Sequence, residues 1–165
     1  MTTAAKSLFK SSSKLPIDAR VRVIEALNAS LADGLDLYSQ VKVAHWNIKG
    51  AHFATLHPLF DTIAASALSF NDEIAERAVA LGGLATGTVR TAAKNSRLAQ
   101  YPEDLTRDLD HVKHVVERID SYLDGLRKAR SVGESVSDTD TVDLLTGMVT
   151  EFEKHAWFLR ASLEA

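Results

Sequence analysis

Apolar residues return at helical spacing along four long stretches of this 165-residue chain, and no stretch predicts a β-strand. The first stretch repeats every seven residues, through Ile17, Ile24, Leu31, Tyr38 and His45. Spacings of three and four residues place side chains on one face of an α-helix. The pattern therefore predicts an all-α chain whose long helices each bury one stripe. His45 occupies a slot of the first stripe.

Three further stripes predict the other long helices, over about 53–81, from Leu105 to Leu126 and from Val142 to Leu163. A link of only about three residues joins the first two helices, whereas roughly twenty residues follow the second, which is long for a loop. The segment "TVRTAAKNSRL" predicts a short helix within that link. One long crossover is typical of ferritin-like bundles. The predicted fold is therefore a ferritin-like four-helix bundle with a short helix in the crossover.

The first fifteen residues differ in composition from the rest, since Ser, Thr and Lys dominate them. They predict a flexible basic tail over 1–15, followed by a bundle domain over 16–165. A net charge of −3 argues against a basic nucleic-acid binder as a whole. No apolar run reaches the length of a signal peptide or of a membrane span of ~20 residues. We expect a cytoplasmic protein without a membrane partner.

Metal-binding residue types gather around the second helix. The chain has no cysteine, so a metal site must use nitrogen and oxygen ligands. On a helical wheel His57, Asp61, Asp72 and Glu76 fall within about 100° of each other, away from the apolar stripe. Their neighbours on this face are mostly small and apolar, namely Ala64, Ala65, Leu68, Ala75 and Val79. A helix with two apolar faces is covered on both sides, which predicts a second subunit here.

Axial spacing divides these ligands into two pairs. His57 and Asp61 are one turn apart, as are Asp72 and Glu76, but about 16 Å of helix separates the pairs. Metal–ligand bonds are only ~2 Å long. An antiparallel copy of the helix, related by a two-fold axis, would bring Asp72 and Glu76 of one chain opposite His57 and Asp61 of the other. His45 would join across the short turn.

The predicted ligand set is thus two imidazoles and three carboxylates, in two equivalent sites per dimer. Such a set suits iron, manganese or zinc, and two carboxylate-bridged ions would suit redox chemistry on iron. A site inside one bundle would need Glu-x-x-His motifs on two helices, and the chain has none. The nearest segment is "DLDH", from Asp108 to His111.

Simpler interpretations exist for each residue taken alone. A histidine on an apolar stripe, such as His45, is commonly a core residue, and an Asp–Glu pair is commonly solvated. We expect Trp157 in the core, while Trp46 either lines the site or packs. The other histidines are expected to be structural or on the surface: His52, His111, His114 and His155.

The segments "AHWNIKGAHFATLHPLFD" and "NDEIAERAVALGG" resemble Dps-type proteins, the mini-ferritins of the DNA-protection-during-starvation family. The resemblance covers about 27–163. The family pattern consists of two histidines, two aspartates and a glutamate in that order. The successive spacings between them are twelve, four, eleven and four residues. This pattern is matched without substitution by the five candidate catalytic and metal-binding residues, His45, His57, Asp61, Asp72 and Glu76.

This resemblance implies a hollow shell of twelve identical subunits with a ferroxidase site at each two-fold interface. In that family Fe(II) is oxidised, often by hydrogen peroxide but also by oxygen, and ferric mineral is stored. The resemblance also implies that Asp138, Asp140 and Asp143 form an acidic pore that draws cations inward. Helix capping and solvation explain these three residues equally well.

DNA binding is the alternative function. In some relatives a Lys-rich tail binds DNA, and twelve copies of this tail would act multivalently. The candidate contacts are Lys6, Lys10 and Lys14, and nucleoid association would follow. A helical scaffold without chemistry would leave the five-residue spacing unexplained.

Overall fold

The computed structural model describes residues 9–164 as an all-α bundle. Its helices are α1 (Ile17–Asn47), α2 (Phe53–Ala80), α3 (Val89–Asn95), α4 (Asp108–Ser135) and α5 (Thr139–Ala161). The prediction of four long helices with a short one in the crossover is confirmed. No helix within the described residues is long and apolar enough to cross a membrane.

The core forms where the apolar stripes of the long helices meet. The first helix packs against α2 and α4, and α4 packs against α5. The largest fully buried side chains come from all four, and include Leu27, Phe60, Tyr122 and Phe152. Trp157 was expected here, and that prediction is wrong because its side chain is 63% exposed. The residue belongs to α5, but it faces outward beside Phe158.

One carboxylate organises the turn between α1 and α2. Asp108 Oδ2 accepts hydrogen bonds from the backbone N–H and the ring Nδ1 of His52, both at 2.9 Å. Asp108 Oδ1 accepts from the backbone N–H of Leu109, at 2.9 Å. Gly50 has φ of +148°, and a Cβ there would lie 2.3 Å from Asp108 Oδ2. The end of α1 and the beginnings of α2 and α4 are therefore held together.

A second polar contact joins the end of α2 to the start of α5. Asp138 is the N-cap of α5 and accepts from the backbone N–H and the hydroxyl of Thr141. Its Oδ1 also accepts from Nη2 of Arg77 at 2.6 Å, and Asp138 is only 4% exposed. Within one subunit Asp138 therefore acts as a helix cap and ion-pair partner, and its place in the predicted pore stays a prediction. Asp140 and Asp143 remain exposed at this helix start.

The chain before α1 lies against the end of α2. The N–H of Phe9 donates to the carbonyl of Gly82 at 2.8 Å, and the hydroxyl of Ser11 donates to the carbonyl of Ala80. Gly82 has φ of +91°, and a Cβ there would approach the carbonyl oxygen of Phe9 to 2.6 Å. Part of the segment predicted as a flexible tail therefore has defined contacts. The first eight residues, with Lys6, lie outside the described residues.

Candidate metal centre

His45 and His57 form a reciprocal pair across the turn between α1 and α2. Nδ1 of His45 lies 2.8 Å from the carbonyl oxygen of His57, and Nδ1 of His57 lies 2.9 Å from that of His45. The two rings stack with their centroids 3.7 Å apart and their planes 22° from parallel. Neither histidine is fully buried. The short turn therefore brings together two residues that are twelve positions apart.

These contacts define how each imidazole is used. A carbonyl oxygen only accepts hydrogen bonds, so each Nδ1 must carry the proton that it donates. The lone pair of each neutral ring is then on Nε2, which is free to bind a metal. Metal-ligating histidines usually donate their other ring N–H in this way. Both rings thus have the arrangement that metal-ligating histidines use, and their role as ligands stays a prediction.

Asp61, one turn after His57, is paired with a lysine. Nζ of Lys42 lies 2.6 Å from Asp61 Oδ1, and the Asp61 side chain is 59% exposed. The hydrogen bond from Lys42 lowers the pKa of this carboxyl group, and the charges of Lys42, His45 and His57 lower it further. The carboxylate is therefore ionised at neutral pH. Any metal ion that binds it competes with the ammonium group.

The second predicted pair lies further along α2. Asp72 and Glu76 are both exposed, and neither forms an ion pair or a side-chain hydrogen bond with any residue that the structure describes. Over the same residues, no group of three or more histidine, aspartate and glutamate side chains could hold a metal ion within one chain. The structure thus pairs His45 with His57 and places Asp61 close enough to feel their charges but bound to Lys42. It leaves Asp72 and Glu76 apart from these three residues. That a two-fold axis brings Asp72 and Glu76 of one subunit to the histidines of another stays a prediction.

The outer face of α2 between the two pairs is exposed and partly apolar. Leu68 and Val79 are each 53% exposed, and Ala65 is also exposed. Ala64 was expected on this face but is buried in the core at 1% exposure. Trp46 is 68% exposed at the same end as the histidine pair, and its ring centroid is 5.9 Å from Nζ of Lys42. The indole therefore stands beside the predicted ligands and outside the core.

The remaining histidines have structural surroundings, as the sequence predicted. His111 is fully buried, and its Nδ1 lies 2.7 Å from the hydroxyl of Tyr101. His155 is 2% exposed, and its Nε2 lies 3.0 Å from the hydroxyl of Ser66. Burial lowers the pKa of both imidazoles. In the "DLDH" segment Asp108 binds His52 and His111 binds Tyr101, so both residues already have partners within the chain.

Near the predicted ligands, the sequence did not single out Lys42, and it named no partner for Arg77. Lys42 lies three positions before His45, but its partner Asp61 becomes apparent only when α1 packs on α2. Arg77 follows Glu76 directly, and its partner Asp138 is 61 positions away. Helical periodicity indicates which face a side chain occupies, and it carries no information on which distant charge meets that face.

Comparison with known proteins adds independent findings. The family profile described as "Ferritin-like domain" matches residues 24–165. The chain is 36% identical over 155 residues to a DNA protection during starvation protein of Agrobacterium fabrum, covering 94% of this chain and 96% of that protein. It is 35% identical over 142 residues to DNA protection during starvation protein 2 of Bacillus anthracis, covering 86% and 97%.

Solved structures give the same picture of the fold. DpsC from Streptomyces coelicolor superposes with a TM-score of 0.90 at 29% identity, over 96% of this chain and 93% of that one. An archaeal Dps homologue from Halobacterium salinarum also gives 0.90, at 28% identity, over 99% and 91%. Both alignments extend over nearly the entire bundle.

Proposed function

The chain belongs to the Dps-type mini-ferritins, within the ferritin-like proteins, and from this premise we propose that it oxidises and stores iron. Twelve subunits would enclose a hollow shell, with Fe(II) as the substrate and ferric mineral as the stored product. The names of the Agrobacterium and Bacillus relatives further suggest a role in protecting DNA. Removal of Fe(II) and peroxide together would serve that role, because the two generate hydroxyl radicals.

The observation that carries this proposal is the paired imidazoles with both Nε2 atoms free. Together with Asp61 they form half of a ligand set, and Asp72 and Glu76 form the other half on the same helix face. An antiparallel partner would supply the missing half to each site. The exposed apolar residues between the halves, Leu68 and Val79, support a subunit contact there.

Two neighbouring iron positions in each site would suit this ligand set, and two-metal sites in proteins hold their ions about 3.5–4 Å apart. The two imidazoles, stacked with their centroids 3.7 Å apart, would supply the nitrogen ligands. Carboxylates would bridge the two ions and stabilise the more highly charged Fe(III). Zinc or manganese would fit the same ligands as substitutes.

Two neighbouring Fe(II) ions allow peroxide to be reduced without a radical product. Each Fe(II) gives up one electron as it becomes Fe(III). One hydrogen peroxide takes both electrons and two protons, its O–O bond breaks, and two water molecules form. Oxygen would serve as a slower oxidant: one O2 takes two electrons from an Fe(II) pair and two protons to give hydrogen peroxide, which a second Fe(II) pair reduces to water. Asp138, Asp140 and Asp143 at the start of α5 would attract Fe(II) toward the interior by their negative charge.

Size-exclusion chromatography with in-line iron detection tests the proposal. Purified protein receives Fe(II) and then hydrogen peroxide. We expect iron to co-elute with a particle near twelve times the 18.0 kDa chain, well above two ions per site. His57→Ala should assemble but oxidise Fe(II) more slowly, with His114→Ala as the matched control. A monomer or dimer without iron would contradict the shell, and an unchanged rate in His57→Ala would contradict the site.

A DNA-binding shell is the second candidate, supported by the exposure of Lys10 and Lys14 on the segment that precedes α1. Neither lysine pairs with an acidic residue of the described chain. Gel retardation at low salt should detect binding, since phosphate contacts weaken steeply with salt. Replacement of Lys6, Lys10 and Lys14 by alanine should abolish retardation and leave iron oxidation unchanged. An intact shell that retards no DNA would remove this candidate.

A further inference from the structure

Three polar side chains deep in the bundle lack a hydrogen-bond partner among the described residues. They are the hydroxyl of Ser30 on α1, the side-chain amide of Asn71 on α2 and the hydroxyl of Tyr122 on α4. Ser30 and Tyr122 are fully buried, and Asn71 is 3% exposed. Buried polar groups in native proteins are almost always bonded to protein or to ordered water. These three groups therefore indicate a hydrogen-bonding ligand within the bundle.

Two of these groups converge on Gly34 in the middle of α1. A Cβ built on Gly34 would lie 2.0 Å from Asn71 Oδ1 and 3.1 Å from Tyr122 Oη. Because both atoms lie so near one point, their separation falls within the reach of a single bridging water, whose hydrogen bonds are each about 2.8 Å long. Glycine weakens a helix interior, and no larger residue leaves room here. Ser30 lies one turn earlier on the same helix face.

The surroundings select a neutral ligand. The nearest charged group, Asp33, is already bound by the backbone N–H, Nε and Nη2 of Arg97. Burial raises the pKa of the Tyr122 hydroxyl, so this group stays protonated. The ring of Phe152 packs edge-on against Tyr122 at 5.0 Å. An uncompensated charge would be costly in such a place, whereas a small molecule that both donates and accepts hydrogen bonds would be stabilised.

We propose that the bundle core binds a water molecule between the Asn71 side chain and the Tyr122 hydroxyl, beside Gly34. Asn71 offers two N–H donors and a carbonyl acceptor, and the tyrosine hydroxyl both donates and accepts. Such a water satisfies groups on α2 and α4 at once and packs against α1. Buried waters typically make about three hydrogen bonds, and the second N–H or the carbonyl of the Asn71 side chain adds to the bond from Tyr122. Asn71 directly precedes Asp72 on α2. The water therefore also holds in place the turn of α2 that carries this predicted ligand.

A crystal structure of the assembled protein at a resolution that shows ordered water tests the proposal. We expect density for one water within hydrogen-bond distance of the Asn71 side chain and of Tyr122 Oη in every subunit. A direct hydrogen bond between Asn71 and Tyr122, without density for a water beside Gly34, would overturn it. So would a structure in which each group binds only other protein atoms.

A double-mutant cycle on thermal stability gives a second, independent measurement. Asn71→Leu and Tyr122→Phe each remove one partner of the water. The first substitution already removes the water. Adding the second should therefore lower Tm by no more than about half as much as that substitution does in the wild-type protein. Asn71→Leu with Tyr101→Phe is the matched control, since Tyr101 binds His111 instead, and its effects should add. Additive effects for Asn71 and Tyr122 would contradict a shared ligand. If a variant fails to fold, the wild-type crystal structure still decides.

Discussion

Among single residues, Lys42 is the one that most directly affects binding at the proposed site. Its ammonium group lies 2.6 Å from Asp61 Oδ1, so a metal ion must displace it or share the carboxylate. We expect Lys42→Met to raise the affinity for Zn²⁺ by a few-fold, measured by calorimetric titration of the assembled protein. Lys49→Met is the control, because Lys49 is exposed and its side chain meets no described carboxylate. Equal affinities in wild type and Lys42→Met would contradict a role for Asp61 as a ligand.

The buried histidines predict how stability depends on pH. Burial lowers the pKa of His111 below its ordinary 6.5, against the opposing effect of Asp110 and with a small further lowering by His114. As pH falls below 6.5 the unfolded chain binds a proton that the folded chain does not, so stability present above 6.5 is lost. The ion pairs of Asp61 and Asp108 persist through this window, since their pKa values are lowered too.

We therefore expect Tm to fall between about pH 7 and pH 5, and to fall less in His111→Gln, as scanning calorimetry can measure. His155→Gln should behave likewise because burial lowers the pKa of His155 as well. A pH dependence equal to wild type in both buried variants would show that folding does not shift the pKa of either histidine.

At this scale the sequence predicted which residues lie near each other, but not how they bond. The twelve-residue spacing placed His45 beside His57 across a short turn, and the structure confirms that proximity. The exchange of Nδ1 hydrogen bonds with backbone carbonyls depends on the course of the turn, which no side-chain pattern encodes. Trp157 was predicted in the core because Ala156 and Leu159, which lie near it on α5, belong to the buried stripe. The sequence pattern does not show whether a residue next to such a stripe is itself buried.

For the helices as units, the contact between the end of α2 and the start of α5 is the most testable. Asp138→Ala should cost about 1 kcal/mol through the lost cap, and more because Arg77 is left without its acceptor. We expect Tm to fall by about 3 °C or more. Asp140→Ala, two residues on and with an 82% exposed side chain, should change Tm by about 1 °C or less. Equal losses in the two variants would contradict the assignment of Asp138 as the cap.

Element boundaries followed well from the sequence, whereas the contacts made by the described part of the segment before α1 did not. Periodic apolar residues specify a helix because each turn must bury its stripe, and the four long helices and α3 lie where the pattern predicted them. The contacts of Phe9 and Ser11 with the end of α2 use backbone carbonyls. Backbone groups are the same at every position, so composition alone predicted a flexible tail there.

For the whole molecule, the central question is whether a metal site is shared between subunits. One variant, His45→Ala with His57→Ala, lacks the imidazoles. A second, Asp72→Asn with Glu76→Gln, lacks the distal acids. If each site combines the imidazoles of one chain with the acids of its partner, both variants alone should be inactive in iron oxidation. A mixed dimer would then contain one complete site and one that lacks every substituted ligand.

Co-expression of the two variants should therefore restore activity. With equal amounts and random assembly, half of the interfaces are mixed, so about a quarter of the sites are complete. The initial rate of Fe(II) oxidation should approach a quarter of the wild-type rate in shells of normal size. The control is a mixture of two kinds of shell, each assembled from one variant alone, whose subunits do not exchange. This mixture should stay inactive. Sites contained within a single chain would leave the mixed shells as inactive as their parents, because no chain would carry all five ligands.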